Sequence, residues 1–277
     1  MNVARLKSQL VCQGMALTLI GVAAMSARAV AQDSFEDYFW SSRVTTGFDY
    51  SAGKYGQTEA TQIAFLPVML QTARGPLTLK LSGGGLRVSG PALILDGEAT
   101  AGTTAVSRNV SGLADTSISA MYSFQQFYDR GIYIDLTARA KFPTASFKKG
   151  LGTGEVDGVV QLDGAFAWGD VMPFATLGYK ANGSPDTLAL RHITFGSVGL
   201  QYALNERVST GVAYDYRQSA VATSADPQEG MAYISYRFTD TWSLNLYGVA
   251  GFSKNSPSAG AGLTFTYRVK PGAVSIR

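Results

Sequence analysis

The chain has 277 residues, with 23 Lys+Arg against 20 Asp+Glu, one His and one Cys. Three of the basic residues (Arg5, Lys7, Arg28) and the cysteine (Cys12) precede Gln32. The chain from Gln32 onward is neutral overall and thiol-free, which excludes disulfides, thiol catalysis and a basic nucleic-acid-binding face.

The N-terminus reads as an export signal. Arg5 and Lys7 give a positive start, Met15 to Met25 is mostly apolar, and Ala29-Val30-Ala31 is a small-residue cleavage site before Gln32. The apolar stretch is shorter than the roughly 20 residues of a transmembrane helix, so a cleaved signal peptide over 1–31 is expected rather than a retained anchor. Cys12 precedes the apolar core and lacks the context of a lipoprotein cysteine. Residues 32–42 read as a periplasmic lead-in, 43–268 as a β-barrel, and 269–277 as a short tail.

After Ala31 no run reaches the roughly 18 consecutive apolar residues of a membrane helix. Gly, Tyr, Phe, Thr and Ser instead recur in short alternating stretches. Twelve strands are predicted, at 43–51, 60–72, 76–88, 113–124, 131–142, 156–168, 172–182, 192–203, 207–218, 229–238, 242–252 and 260–268. Connections alternate in length. Short ones include Ala73-Arg74-Gly75, Gly169-Asp170-Val171, Leu204-Asn205-Glu206 and Thr239-Asp240-Thr241, whereas 89–112, 143–155, 183–191, 219–228 and 253–259 are longer. An even strand count with short turns on one rim and long loops on the other is the pattern of an all-β, 12-stranded antiparallel transmembrane β-barrel of the bacterial outer membrane.

Side-chain alternation agrees. Over 131–142, Ile134, Leu136, Ala138, Ala140 and Phe142 oppose Asp135, Thr137, Arg139 and Lys141. Over 207–218, Val208, Val212, Tyr214 and Tyr216 oppose Ser209, Gly211, Asp215 and Arg217. Ala232, Ile234, Tyr236 and Phe238 oppose Glu229, Tyr233, Ser235 and Arg237, and Leu263, Phe265 and Tyr267 oppose Gly262, Thr264 and Thr266. In a barrel of this kind the apolar set faces lipid and the polar set the lumen. A soluble β-sandwich also alternates, but Phe124, Phe142, Trp168, Tyr202, Phe238, Trp242, Phe252 and Tyr267 sit at strand ends, as interfacial girdles do. Pro67 is expected near a rim or bulge, and Gly83-Gly84-Gly85 is expected to let its strand bend.

A family likeness rests on three segments: Gly112-Leu113-Ala114-Asp115, Lys141-Phe142-Pro143-Thr144, and Gly150-Leu151-Gly152-Thr153-Gly154 ahead of Asp157. In this order they resemble the outer-membrane proteins grouped as the "MetA-pathway of phenol degradation" family, over roughly 43–268. The resemblance implies an outer-membrane barrel passing small, aromatic or otherwise hydrophobic compounds. The last strand, with Gly262, Phe265 and Tyr267, also looks like the C-terminal signal read by the barrel-assembly machinery, although a tail extends beyond it.

The predicted pore lining comprises Asp135, Arg139, Lys141, Asp163, Asp215, Arg217, Tyr233 and Arg237, with Asp49, Lys80, Asp157, Lys180, Glu229 and Arg268 on the same face. Near-balanced signs favour a network of interior ion pairs over a one-sign selectivity filter, and both can coexist in a narrow channel. No cofactor or metal is expected, since one His without mature Cys makes no ligand cluster. His192, with Ser197 and Thr194 nearby, does not match the His-x-Ser-Asn-Gly pattern of outer-membrane phospholipases, so the chain reads as a non-enzyme. The glycine run 150–154 lacks the Lys-Ser/Thr of a phosphate loop and reads as a flexible outer loop, with Lys148 and Lys149 placed to meet lipopolysaccharide phosphates. Loop 89–112, the longest, can fold inward or stay outside. The resulting reading is a channel or transporter for small molecules in outer-membrane lipid, against a lipid-modifying enzyme or a non-conducting structural barrel.

Overall fold

The computed structural model describes residues 40–95, 98–100, 108–186 and 188–269. The expected signal peptide and nearly all of the C-terminal tail lie outside these residues. The strands are β1 (Ser41–Gly53), β2 (Thr61–Arg74), β3 (Leu77–Gly90), β4 (Leu93–Leu95), β5 (Glu98–Thr100), β6 (Arg108–Leu113), β7 (Thr116–Ser123), β8 (Ile132–Phe142), β9 (Asp157–Phe166), β10 (Val171–Ala181), β11 (Ile193–Ala203), β12 (Val208–Arg217), β13 (Gln228–Arg237), β14 (Trp242–Gly251) and β15 (Ala259–Val269).

The sheet closes on itself. β1 pairs antiparallel with β2 on one side and with β15 on the other, from Ser42↔Val269 to Ala52↔Ala259. Every other neighbour along the chain is likewise antiparallel, and closure leaves no unpaired edge in the apolar zone. β6 and β7 both pair with β3 and form one stave, so thirteen sheet strands make a 12-strand barrel. Between Gly85↔Leu113 and Ser82↔Ser117, three steps along β3 face four along its partner, which places a bulge at Ala114-Asp115-Thr116.

That bulge revises the longest expected loop. β3 runs on to Gly90 and β6 starts at Arg108, so both ends of 89–112 belong to the wall, and β4 pairs with β5 as a short hairpin between them. The Ser/Gly/Asn content reads locally as loop, yet Val88 and Val110 are register partners, and Arg87 Nε donates to Asn109 Oδ1 at 3.3 Å. Pro67 also departs from expectation. It lies mid-strand, paired with Gly84, and the β1–β2 register skips from Thr46↔Val68 to Asp49↔Phe65. The missing N–H is absorbed by that gap in the ladder, and Thr46 Oγ1 donates to Pro67 O at 3.0 Å.

The outward face is greasy all round. Leu66, Val68, Leu70, Leu81, Ile118, Val160, Leu162, Leu177, Val198, Leu200, Val212 and Leu246 are all exposed, and Trp168, Tyr202, Phe238, Trp242 and Tyr267 crowd the rim that carries the short turns. A continuous apolar surface of this kind is a liability in water and the norm in lipid.

Inside, the wall is mixed. Inward aromatics lie over glycines of the neighbouring strand: a β-carbon at Gly211 would fall on the Tyr233 ring, and one at Gly178 on the Phe195 ring. Phe174 over Gly199, Tyr247 over Gly262 and Phe65 over Gly84 repeat the arrangement. The interior thus fits large rings by removing side chains opposite them, the reason Gly84 stands in the middle of the triple glycine.

Candidate functional site

The interior is built from the inward parity of each strand. Asp135, Lys141, Asp163, Asp215, Arg217 and Tyr233 are buried, and Arg139 and Arg237 half-buried, all on the inward parity of their strands. The structure brings them into different neighbourhoods.

Toward the rim with the long loops, Lys141 is 1% exposed and forms the centre of a charged knot. Its Nζ lies 3.1 Å from Asp115 Oδ2, 3.0 Å from Asp157 Oδ2 and 3.1 Å from Thr153 Oγ1. Lys180 Nζ stands 3.4 Å from the same Asp157 oxygen, while Asp157 Oδ1 accepts from Gly183 N. The bulge between β6 and β7 presents Asp115, whose Oδ1 accepts from Ala145 N at 2.9 Å.

The knot pulls the loop after β8 into the barrel mouth. Leu151, 1% exposed, joins Ile63, Phe65, Leu86, Val88, Ala92 and Ala114 in one apolar cluster on the inner wall of β2, β3 and β6. Arg108 Nη2 donates to Ala92 O at 2.9 Å and Gly150 O at 3.0 Å, and Lys149 Nζ donates to Ser111 O at 3.0 Å. Gly150 at φ +65° and Gly154 at φ +76° adopt left-handed turns that bracket the buried segment. The glycine run is therefore a packed clasp across the mouth, not the flexible outer loop its composition suggested. The three segments that carried the family likeness meet here in space.

Deeper in, Asp163 accepts from both Gln161 Nε2 (2.8 and 2.9 Å) and Thr176 Oγ1 (2.6 Å), and its register partner on β8 is Asp135. Across the barrel Arg217 Nη2 lies 3.1 Å from Glu229 Oε1, and Tyr247 donates its hydroxyl to Asp49 Oδ2. Tyr233 hydroxyl donates to Gln201 Oε1 at 3.2 Å and packs with Phe174, Met231, Tyr247 and Val249. Near the turn rim, Tyr133 is buried against Met172, and the ring of Tyr128, in the turn after β7, packs tilted against it with centroids 5.0 Å apart. Arg237 Nη2 donates to Glu206 O at 2.5 Å.

Sequence reasoning placed Asp115, Thr153 and Leu151 in the likeness without giving them a role, and did not single out Arg43, Arg108 or Arg207. Asp115 carried a readable signal, an acid next to a break in alternation. The inward rings of Phe174 and Tyr247 were legible only as partners of glycines on other strands. His192 is exposed on the loop rim, its Nδ1 accepting from Asn182 N at 3.2 Å and its ring 6.1 Å from that of Tyr179. Ser197 is buried on the inward face, so the two do not form a pair.

A closed barrel with an apolar exterior and an ionisable interior defines a transmembrane β-barrel of the outer-membrane type. No family model matches the sequence, and no curated protein matches it. Solved structures do. An outer membrane channel from Pseudomonas putida F1 superposes with TM-score 0.66 at 12% identity, covering 83% of this chain and 96% of that one. The NanC porin gives TM-score 0.57 at 7% identity, covering 82% and 100%. The beta domain of the Bordetella autotransporter BrkA gives 0.51 at 12%, covering 83% and 99%. At these identities the likeness is one of fold, shared by a channel, a porin and an autotransporter domain.

Proposed function

We propose that the chain is a passive outer-membrane channel for small solutes, with its long-loop rim outside the cell and its mouth narrowed by the clasp over 143–156. The observation that carries this reading is the interior itself: buried, hydrogen-bonded charges line a wall that has no lipid-facing use for them. Asp135, Arg139, Lys141, Asp163, Asp215, Arg217, Tyr233 and Arg237 then line or flank the path. The resemblance to the MetA-pathway family adds small aromatic compounds as the solute class, and an ionisable interior suits those that carry a polar or charged group. Export through a signal peptide over 1–31, insertion by the barrel-assembly machinery through the β15 signal and contact of Lys148 with lipopolysaccharide belong to the same reading. The separation of His192 from Ser197 speaks against a lipid-modifying enzyme.

The test is reconstitution in planar bilayers. Small, discrete conductance steps are expected, and silence across salts and voltages at which a porin control conducts would instead favour a non-conducting structural barrel.

A further inference from the structure

The charges inside the barrel look balanced by count, but the register sorts them by sign. One line of cross-strand partners runs Arg268↔Arg43 (β15–β1), Arg43↔Gln71 (β1–β2), Gln71↔Lys80 (β2–β3), Lys80↔Ser119 (β3–β7), Ser119↔Arg139 (β7–β8), Arg139↔Val159 (β8–β9) and Val159↔Lys180 (β9–β10). Five of its eight positions are cations and none is an acid. A second line runs Ser123↔Asp135↔Asp163↔Thr176↔Ser197↔Asp215↔Glu229 from β7 to β13, with four acids among seven positions and no cation. Strands of a barrel tilt, so a line of cross-strand partners climbs the wall. The cationic line starts next to the end of β15 on the turn rim and finishes next to the end of β10 on the loop rim.

The lower end of the cationic line opens into a pocket of about 50 Å³ beside the β13–β14 turn. Arg43, Arg207, Arg237 and Arg268 line it together with serine and threonine hydroxyls, and Asp240 on the turn is the single acid of the lining. Arg43 and Arg268 stand directly opposite each other on paired strands. Like charges so placed repel and destabilise the pair, and an anion between them removes that cost. Guanidinium forks match the two oxygens of a carboxylate or phosphate, and the hydroxyls add further donors.

Resting on the channel reading, we propose that this pocket is an oxyanion-binding site on the turn rim, fed by a track of cations that spirals up the wall through Lys80 and Arg139 to Lys180. The solute it takes is a small organic acid or a phosphate-bearing compound. The acidic line shares β7 to β10 with the track but runs nearer the turn rim on each of them, Asp135 below Arg139 and Asp163 below Val159, and Asp157 meets the track only at its upper end, at Lys180.

Two measurements separate this from the channel reading. Calorimetry on the folded protein in detergent, which needs no conduction, would use benzoate, its neutral analogue benzamide, and inorganic phosphate. Benzoate or phosphate is expected to bind and benzamide to give no heat, the tighter of the two anions marking the chemical class. Arg43→Gln with Arg268→Gln is expected to weaken anion binding at least tenfold, and Arg268→Gln alone, at the rim, to give a smaller loss in a barrel that retains its fold. In bilayers under a KCl gradient, the reversal potential is expected on the anion side, moving toward zero in the double variant and in Lys80→Gln. Equal heats for benzoate and benzamide, or binding untouched by both arginine substitutions, would overturn the pocket. A conducting, cation-selective pore would overturn the track while leaving the channel in place.

Discussion

Asp226, in the loop between β12 and β13, gathers three donors on an exposed rim. Its Oδ1 accepts from Ser219 N at 2.8 Å and from Arg191 Nη2 at 3.1 Å, and its Oδ2 from the Tyr216 hydroxyl at 2.7 Å. Arg191 comes from the neighbouring loop before β11, donates through Nε to Ser219 O, and is tied again by Arg191 N to Ala220 O at 2.9 Å. The Ser219 amide above all, with the Tyr216 hydroxyl and the Arg191 charge, holds the Asp226 carboxyl below its ordinary value against the opposing cost of burial. A carboxyl whose folded pKa is depressed stabilises its surroundings above the unfolded value of about 4, and the contribution is lost as pH falls through the lower folded value. Hydrogen exchange should therefore show the Ser219 amide protected, relative to its intrinsic rate, down to about pH 4, with protection lost in stronger acid. Asp226→Ala should give the unprotected value throughout; a variant amide as well protected as the wild type above about pH 4 would count against the carboxylate as its anchor.

The clasp over 143–156 is the element on which the mouth depends, and Lys141 is its keystone. Removing the ammonium leaves the buried carboxylates of Asp115 and Asp157 without the cation they share. Loss of one partner of a buried charge cluster costs roughly 3–5 kcal/mol. Lys180 keeps a hold on Asp157 at 3.4 Å, so the lower part of that range is expected. Lys141→Met should lower the urea midpoint and, by freeing Leu151 from the inner wall, raise unit conductance; a variant with both values unchanged would show that the apolar contact alone seats the loop. The partners of Lys141 were not open to local sequence reading. Lys141 and Asp115 sit on adjacent staves joined through the turn after β7, and their meeting depends on the bulge at Ala114-Asp115-Thr116, where the break in alternation marks the acid but not the cation it meets. The two sign-sorted lines are harder still, because each is a product of six or seven separate registers, and a slip of one residue anywhere would scatter it. The outward faces of β8 and β12 to β15, by contrast, were readable residue by residue. Lipid is the partner of every outward side chain, so no knowledge of register is needed to place Leu136, Val212 or Phe265.

For the whole molecule, that outward face is a solvent boundary, and its energetics should depend on depth rather than on neighbours. Val198 is the middle residue of β11 and 59% exposed, while Tyr202 lies on the same face at the turn rim, 45% exposed. They share parity, so both point away from the lumen and neither touches the clasp or the cation track. Their pairings are ordinary, Val198 with Ala175 and Tyr214, Tyr202 with Val171 and Thr210. An arginine at the bilayer midplane of such a barrel costs about 2–4 kcal/mol, falling to about 0–1 kcal/mol near the interface, where the long side chain reaches the headgroups. Val198→Arg should therefore be markedly less stable than Tyr202→Arg in urea titrations of protein folded into lipid vesicles. In detergent micelles, which hydrate charged side chains more readily, the gap should narrow. Equal costs at the two positions in vesicles would mean that the face packs against protein rather than lipid, and the transmembrane reading of the barrel would fall with it.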